Sequence, residues 1–234
     1  MDTSKFIITT RPEIKFKPVE TKCIDVLNIP LTEIRLSDFD NKIADEIAEE
    51  RPNVIVLTSS VGASEFFKHY YKYTENPYFI AIGEKTAEVI GKYTGNIEVP
   101  TSKNSYGVLE ILSEHRHGNI ALFRSNESNN IIRDSLSRRG IKYHEYYIYN
   151  VIKLKNTGLK ANFLSEKCIG IFITSSMEAK AFKDYAGISN DNKKIYSIGK
   201  TTTETLESMG YRVCATGKSD FQSMIKYIDK INCQ

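Results

Sequence analysis

Short apolar runs alternate along this chain with longer amphipathic stretches, the pattern of strands and helices in a parallel-sheet α/β protein. The strand-like runs are Phe6–Thr9, Ile24–Ile29, Val54–Leu57, Tyr78–Ile82, Asn119–Phe123, Ile169–Ile173, Ile195–Ile198 and Arg212–Cys214. They are rich in β-branched and aromatic residues, which suit a pleated, buried surface. Helical spacing of apolar residues predicts helices over Ala63–Tyr71, Glu84–Lys92, Glu127–Arg139 and Thr201–Met209.

The pattern is used twice. Thr58-Ser59-Ser60 closes one strand and Thr174-Ser175-Ser176 another, an offset of 174 − 58 = 116. Gly83 and Gly199 keep that offset (199 − 83 = 116), as do Thr86 with Thr202, Ala63 with Ala179, and Phe66 with Phe182. One gapless offset through two motifs predicts an internal duplication. A further pair of strands, each ending in arginine, departs from it: Arg11 and Arg124 are 124 − 11 = 113 apart. Arg11 also precedes both repeats, whereas Arg124 lies between them.

Interleaving accounts for this order. Residues 1–30 begin a first lobe, residues 37–147 form a second, and residues 151–234 complete the first. The crossings at 31–36 and 148–152 are extended in character and are expected to pair as a two-stranded β-ladder. The fold class is therefore α/β, with two parallel-sheet lobes of flavodoxin or Rossmann type joined by that ladder and a ligand cleft between them.

Charge narrows the function. The 32 basic and 29 acidic residues leave a net charge of only +3, with no block of one sign, which argues against a nucleic-acid partner. No apolar run approaches the ~20 residues of a membrane span, and Met1-Asp2-Thr3-Ser4-Lys5-Phe6 does not read as a secretory signal, so a cytoplasmic protein is expected. The four cysteines, Cys23, Cys168, Cys214 and Cys233, have no paired spacing and do not read as a disulfide framework or a zinc site. Cys168 and Cys214, in or beside apolar runs, are expected to be buried thiols. Of the histidines, only His115 and His117 lie close in sequence, and they read as a solvated helix end. The glycine-rich nucleotide signatures and the nucleophile-elbow motif are missing.

The loops carry the chemistry. In parallel sheets, ligands lie beyond the carboxyl ends of strands, where helix N-termini favour anions. Thr58, Ser59 and Ser60, with Thr174, Ser175 and Ser176, put hydroxyls and amides at two such ends. Gly83 and Gly199 give close backbone approach at two more, followed by Lys85 and Thr86, and by Lys200, Thr201 and Thr202. Each hydroxyl also suits a plain helix cap. Arg11 and Arg124 could contact carboxylates or phosphates, or form surface ion pairs.

In their order and spacing these motifs resemble the uroporphyrinogen-III synthase family over nearly the whole chain. They are TTRP (Thr9–Pro12), LTSS (Leu57–Ser60), AIGEKTAEVI (Ala81–Ile90), LFRSNESNNIIRDSLSRRG (Leu122–Gly140), YIYNV (Tyr147–Val151), FITSS (Phe172–Ser176) and SIGKTTTETLESMGY (Ser197–Tyr211). The chain departs from the family pattern at Ser125, where glycine is common, and at Ser60, Ser176 and Lys200, where proline is common.

The resemblance implies a cofactor-free, metal-free lyase that closes the linear tetrapyrrole hydroxymethylbilane into uroporphyrinogen III. Water leaves and the last pyrrole is inverted, by way of an azafulvene and a spiro intermediate. It further implies a cytoplasmic monomer in transient contact with hydroxymethylbilane synthase. Tyr149 aligns with the family's linker tyrosine and is the expected catalytic residue; a tyrosine phenol, with an ordinary pKa of ~10, keeps its proton at neutral pH and can donate it. The substrate-binding set expected is Arg11, Thr58, Ser59, Ser60, Gly83, Lys85, Thr86, Arg124, Ser125, Thr174, Ser175, Ser176, Gly199, Lys200, Thr201 and Thr202. The same repeat would also suit a non-catalytic, two-lobed binding protein for an anionic small molecule, or another enzyme of phosphate-bearing ligands.

Overall fold

A computed structural model describes residues 5–114, 118–155, 158–185 and 193–233. Met1–Ser4 and the expected His115-Arg116-His117 cap lie outside these. In chain order the elements are β1 (Phe6–Thr9), β2 (Asp25–Asn28), β3 (Thr32–Leu36), α1 (Asn41–Glu50), β4 (Val54–Leu57), α2 (Ser60–His69), β5 (Tyr78–Ala81), α3 (Glu84–Ile90), β6 (Ile97–Glu98) and α4 (Ser105–Glu114). They continue with β7 (Ile120–Ser125), α5 (Ile131–Arg138), β8 (Tyr143–Lys153), α6 (Gly158–Leu164), β9 (Cys168–Ile173), α7 (Ser176–Lys183), β10 (Lys194–Ser197), α8 (Lys200–Ser208), β11 (Val213–Thr216) and α9 (Phe221–Ile231). Two short 3-10 turns, Glu13–Lys15 and Tyr71–Tyr73, complete them.

The chain divides into two compact units, Met1–Ile34 with Ile152–Gln234, and Arg35–Val151. The split unit holds a sheet in the order β11-β10-β9-β1-β2, and the continuous unit one in the order β3-β8-β7-β4-β5-β6. Apart from β3, the two orders correspond strand for strand. The repeated strands β4 and β9 sit third from the β6 and β11 edges, with the arginine-ending β7 and β1 next to them. The pairings from β1 to β2, β9 and onward to β10 and β11 are all parallel, and so are those among β4 to β8. The added pair, β3 with β8, runs antiparallel. Ser37 N–H donates to the Ile148 carbonyl at 3.2 Å and Leu154 N–H to the Leu31 carbonyl at 2.9 Å, so partner numbers fall along one strand as they rise along the other. This is the ladder expected of the two crossings.

Period-two alternation places side chains on both faces of each sheet, and helices cover both. In the split unit, Ile8, Ile171, Ile173 and Ile195 pack with Leu159, Phe163, Phe182 and Leu206. On the other face Ile7, Phe172 and Tyr196 meet Phe221, Met224, Ile225 and Ile228 of α9. In the continuous unit, Val54, Val56, Ile80, Ile120 and Leu122 pack with Val108, Leu112, Ile132 and Leu136. Phe66 on α2 lies 4.7 Å from the Phe123 ring and 5.8 Å from that of Phe79.

Helix starts differ from expectation for local reasons. Helix α2 begins at Ser60, because Ser59 already caps it. Helix α5 begins only at Ile131, because Ser125–Ser128 first makes a turn. Helix α9, absent from the expected helices, carries a clear signal: Phe221, Met224, Ile225 and Ile228 share one buried face behind an Asp220 cap.

The cysteines require a correction. Cys23 and Cys233 form a disulfide across 210 residues, with Cα atoms 5.3 Å apart. Nothing in their spacing shows this, because the fold alone brings the approach to β2 beside the end of α9. Cys168 is buried as expected, but Cys214 is exposed on the open face of edge strand β11. Asp229 secures the same junction, its carboxylate accepting the N–H groups of Lys22 at 3.0 Å, Cys23 at 2.9 Å and Ile24 at 3.2 Å. Cys23→Ser should therefore lower unfolding free energy by about 2–4 kcal/mol without abolishing the fold. Denaturant titrations with and without reductant check this: reductant should shift the wild-type midpoint and leave that of Cys23→Ser in place.

Candidate active site

In the continuous unit, β4 pairs with β7 through Leu57 and Phe123, which sets the Thr58-Ser59-Ser60 loop beside the end of β7. Strand β8 follows β7 in register until a bulge: Arg124 pairs with Tyr147, but Ser125 pairs with Tyr149. One residue is skipped, so Ile148 and Tyr149 are both buried where alternation would expose one of them. The bulge turns Tyr149 inward, 5% exposed, and its hydroxyl donates to Ser59 Oγ at 2.8 Å. Ser59 is the N-cap of α2, and its Oγ also accepts the Gly62 N–H at 2.9 Å.

The repeated loop in the split unit is wired differently. Ser175 caps α7, accepting the Glu178 N–H at 3.2 Å, and its hydroxyl donates to Glu178 Oε1 at 3.0 Å, a relative of the capping box in which Glu178 takes the N–H of Thr174 rather than that of Ser175. Glu178, 2% exposed, also accepts from Thr10 Oγ1 at 2.6 Å, Thr174 N–H at 2.8 Å and Thr174 Oγ1 at 2.9 Å. Burial pushes its carboxyl above the ordinary value, and these donors only partly offset the rise. Glu178 was not among the expected residues, although Ser-x-x-Glu ahead of an apolar stretch is a capping signature.

A carboxyl whose pKa is raised by folding contributes stability that is complete below its unfolded value and is lost as pH rises through its folded value. Glu178→Gln removes this titration. The stability of Glu178→Gln relative to wild type should therefore increase from pH 4 upward, as melting curves of both proteins across pH 4–8 would record.

The two arginines end in different places. Arg11 stacks its guanidinium on Phe221, 4.6 Å from the ring centre, and its Nε and Nη1 have no hydrogen-bond partner. Burial lowers its pKa, while Glu178 and Asp220 raise it. Lys15, lowered by burial and by Arg11, adds a second cation at this strand end. Arg124 is instead buried: Nη1 pairs with Glu145 at 2.9 Å and Nη2 with the Asn129 carbonyl, both inside its own unit, while its buried Nε has no hydrogen-bond partner.

The remaining expected residues divide by exposure. Lys85, Lys200 and Thr201 are exposed, and Thr58, Ser60 and Ser176 are half-buried. Thr86, Thr202 and Ser125 are buried within the fold, Ser125 Oγ lying 3.4 Å from Ser128 Oγ. Ser176 Oγ accepts from Thr205 at 2.9 Å. Gly83 and Gly199 open α3 and α8 in extended conformations, so neither is required by an unusual backbone angle. At Gly83 a Cβ would meet nothing nearer than the Lys103 side chain at 3.7 Å, while at Gly199 it would meet Ser219 Oγ at 3.1 Å. Cys23, Asp229 and Cys233 form a metal-like grouping, but the sulfurs are bonded to each other and the carboxylate is taken by three amides. Among the described residues no helix is long and apolar enough to cross a membrane.

Known structures share this architecture. A mutant uroporphyrinogen III synthase from the extremely thermophilic bacterium Thermus thermophilus superposes with a TM-score of 0.71 at 12% identity, covering 99% of each chain. The uroporphyrinogen-III synthetase of Helicobacter pylori gives 0.67 at 17% identity, covering 97% of this chain and 99% of that one. At such identities the likeness shows the fold alone. No curated protein sequence matches the chain. The family model described as uroporphyrinogen-III synthase HemD, however, matches residues 17–226, a span that contains both serine loops, both glycine turns and Tyr149. By that match the chain belongs to the uroporphyrinogen-III synthase family.

Proposed function

We propose that this lyase, which cyclises hydroxymethylbilane to uroporphyrinogen III in tetrapyrrole biosynthesis, uses Tyr149 as the source of the proton its reaction needs. The hydroxyl of the substrate leaves as water, so it must gain a proton as the C–O bond breaks. The observation that carries the reading is the hydrogen bond from the buried Tyr149 phenol to Ser59, at the carboxyl end of β4.

Substrate carboxylates are met by two kinds of group. Arg11, with unpaired N–H groups, is the leading contact in the split unit. Lys85, Lys200, Thr201 and the half-buried Thr58, Ser60 and Ser176, with the amides at Gly83 and Gly199, supply further donors. Arg124, Ser125, Thr86 and Thr202 serve by shaping the loops, and Thr174 and Ser175 by joining Glu178. Holding the bilane with its ends close is the other half of catalysis, because a near-attack geometry removes much of the entropic barrier.

The step needs a proton donor and a held conformation, and no cofactor. We place the enzyme in the cytoplasm, working as a monomer that takes its substrate from hydroxymethylbilane synthase by transient contact. Incubation with freshly generated hydroxymethylbilane tests the reading: the type III isomer should form above the spontaneous type I background. Formation of type I alone, with the bilane bound, would leave the chain a binding protein.

A further inference from the structure

The duplication puts Glu178 and Gly62 at the same place, since 178 − 116 = 62. Both are the third residue of a helix whose N-cap serine receives their N–H. In the split unit the side chain at this position is a carboxylate that accepts a hydrogen bond from the serine's hydroxyl. In the continuous unit there is no side chain, and the space holds the Tyr149 ring. A Cβ on Gly62 would lie 3.3 Å from Tyr149 Cε1 and 3.2 Å from Ser59 Oγ, closer than either neighbour accommodates without moving. Gly62 needs no unusual backbone angle, being absent from the residues of positive φ. Its bareness serves the tyrosine.

The exchange reverses what the serine offers. Ser175 Oγ accepts one hydrogen bond and its O–H donates to Glu178. Ser59 Oγ accepts two, from Gly62 N–H and from the Tyr149 hydroxyl. A hydroxyl that accepts two bonds has its own O–H left to donate, and each accepted bond polarises it further. Ser59 is half-buried where Tyr149 is buried, so the serine is the outer member of the pair.

We propose that Gly62 is a positioning residue for the reaction: it seats the Tyr149 ring so that the phenol acts on substrate through Ser59. This rests on the reading of Tyr149 as the proton source. The departing hydroxyl takes the Ser59 proton as the C–O bond breaks and leaves as water. Ser59 is refilled by Tyr149, and the phenolate recovers a proton from the pyrrole N–H whose electrons expelled the hydroxyl. Bound bilane becomes bound azafulvene, only water departs, and both side chains return to their starting state before the ring closes.

A double-mutant cycle on kcat tests it, with Gly62→Ala, Tyr149→Phe and the pair, using type III product formation. Alanine is the better helix former, so a merely structural Gly62 would leave melting temperature and kcat unchanged or raised. The expected result is a folded Gly62→Ala enzyme with kcat reduced about tenfold and KM nearly unchanged, the loss disappearing in the Tyr149→Phe background. Wild-type kcat in Gly62→Ala, with Tyr149→Phe impaired, overturns the role of Gly62 alone. An equal loss from Gly62→Ala in both backgrounds does so as well. Wild-type kcat in Tyr149→Phe overturns the tyrosine reading and this inference with it.

Discussion

Arg124→Ala should destabilise the continuous unit by about 3–5 kcal/mol, because it strands a largely buried carboxylate. Arg124 is 2% exposed and meets Glu145 at 2.9 Å, while its Nη2 holds the Asn129 carbonyl. The other Glu145 oxygen accepts from Tyr147 at 3.0 Å, which cannot replace a cation. Asn129 in turn accepts from Ser105 at 3.0 Å and from the Ile131 N–H at 3.2 Å, tying the loop after β7 to the starts of α4 and α5. Losing the guanidinium therefore loosens a junction as well as a pair. Adding Glu145→Leu should recover much of the loss, since a buried ion pair replaced on both sides by apolar groups is often near neutral. Denaturant titrations of the single and double variants measure both effects. Appreciable synthase activity in the refolded double variant is expected, because Arg124 faces its own unit; an inactive but stable double variant would restore Arg124 as a direct substrate contact.

Tyr149→Phe should lower kcat by about 10²-fold, the lower end of what a positioned proton donor contributes. Phenylalanine keeps the ring that fills the space beside Gly62, so packing survives, and the lost hydrogen bond costs only about 1 kcal/mol of stability. Ser59 retains its bond to the Gly62 N–H and hence still caps α2. Product composition gives a second reading besides rate. Once enzymatic closure slows, spontaneous closure competes, and the type I fraction should rise with time at fixed enzyme. A structural tyrosine would change melting temperature without changing that fraction.

Much of this is legible in the amino-acid sequence. The strand at Val54–Leu57 and the paired serine loops follow from apolar runs ended by hydroxyl residues, signals that are local. The interleaving followed from residue order alone, since Arg11 precedes and Arg124 follows the first repeated loop. What escaped depends on groups distant in sequence. The meeting of Cys23 with Cys233 has no local signature, and Asp229 gave no sign that it would bind the amides of Lys22 to Ile24. The bulge that turns Tyr149 inward is equally silent, because it arises from pairing with Ser125. The two arginines read alike in sequence, yet one stacks on Phe221 and the other is buried against Glu145. Glu178 is the exception: its capping signature, Ser175 followed three residues later by Glu178, is local.

The split of the first unit reverses the usual order of events during synthesis. Strand β1 leaves the ribosome before the other strands of its unit, but it is an inner strand, flanked by β2 and by β9, and β9 is made more than half a chain later. The continuous unit, Arg35–Val151, has all its strands by then, and domains fold as units while the chain emerges. Strand β1 is therefore made before the other strands of its unit yet is among the last to be packed. Until Cys168–Ile173 arrives, the β1–β2 pair waits with an open edge.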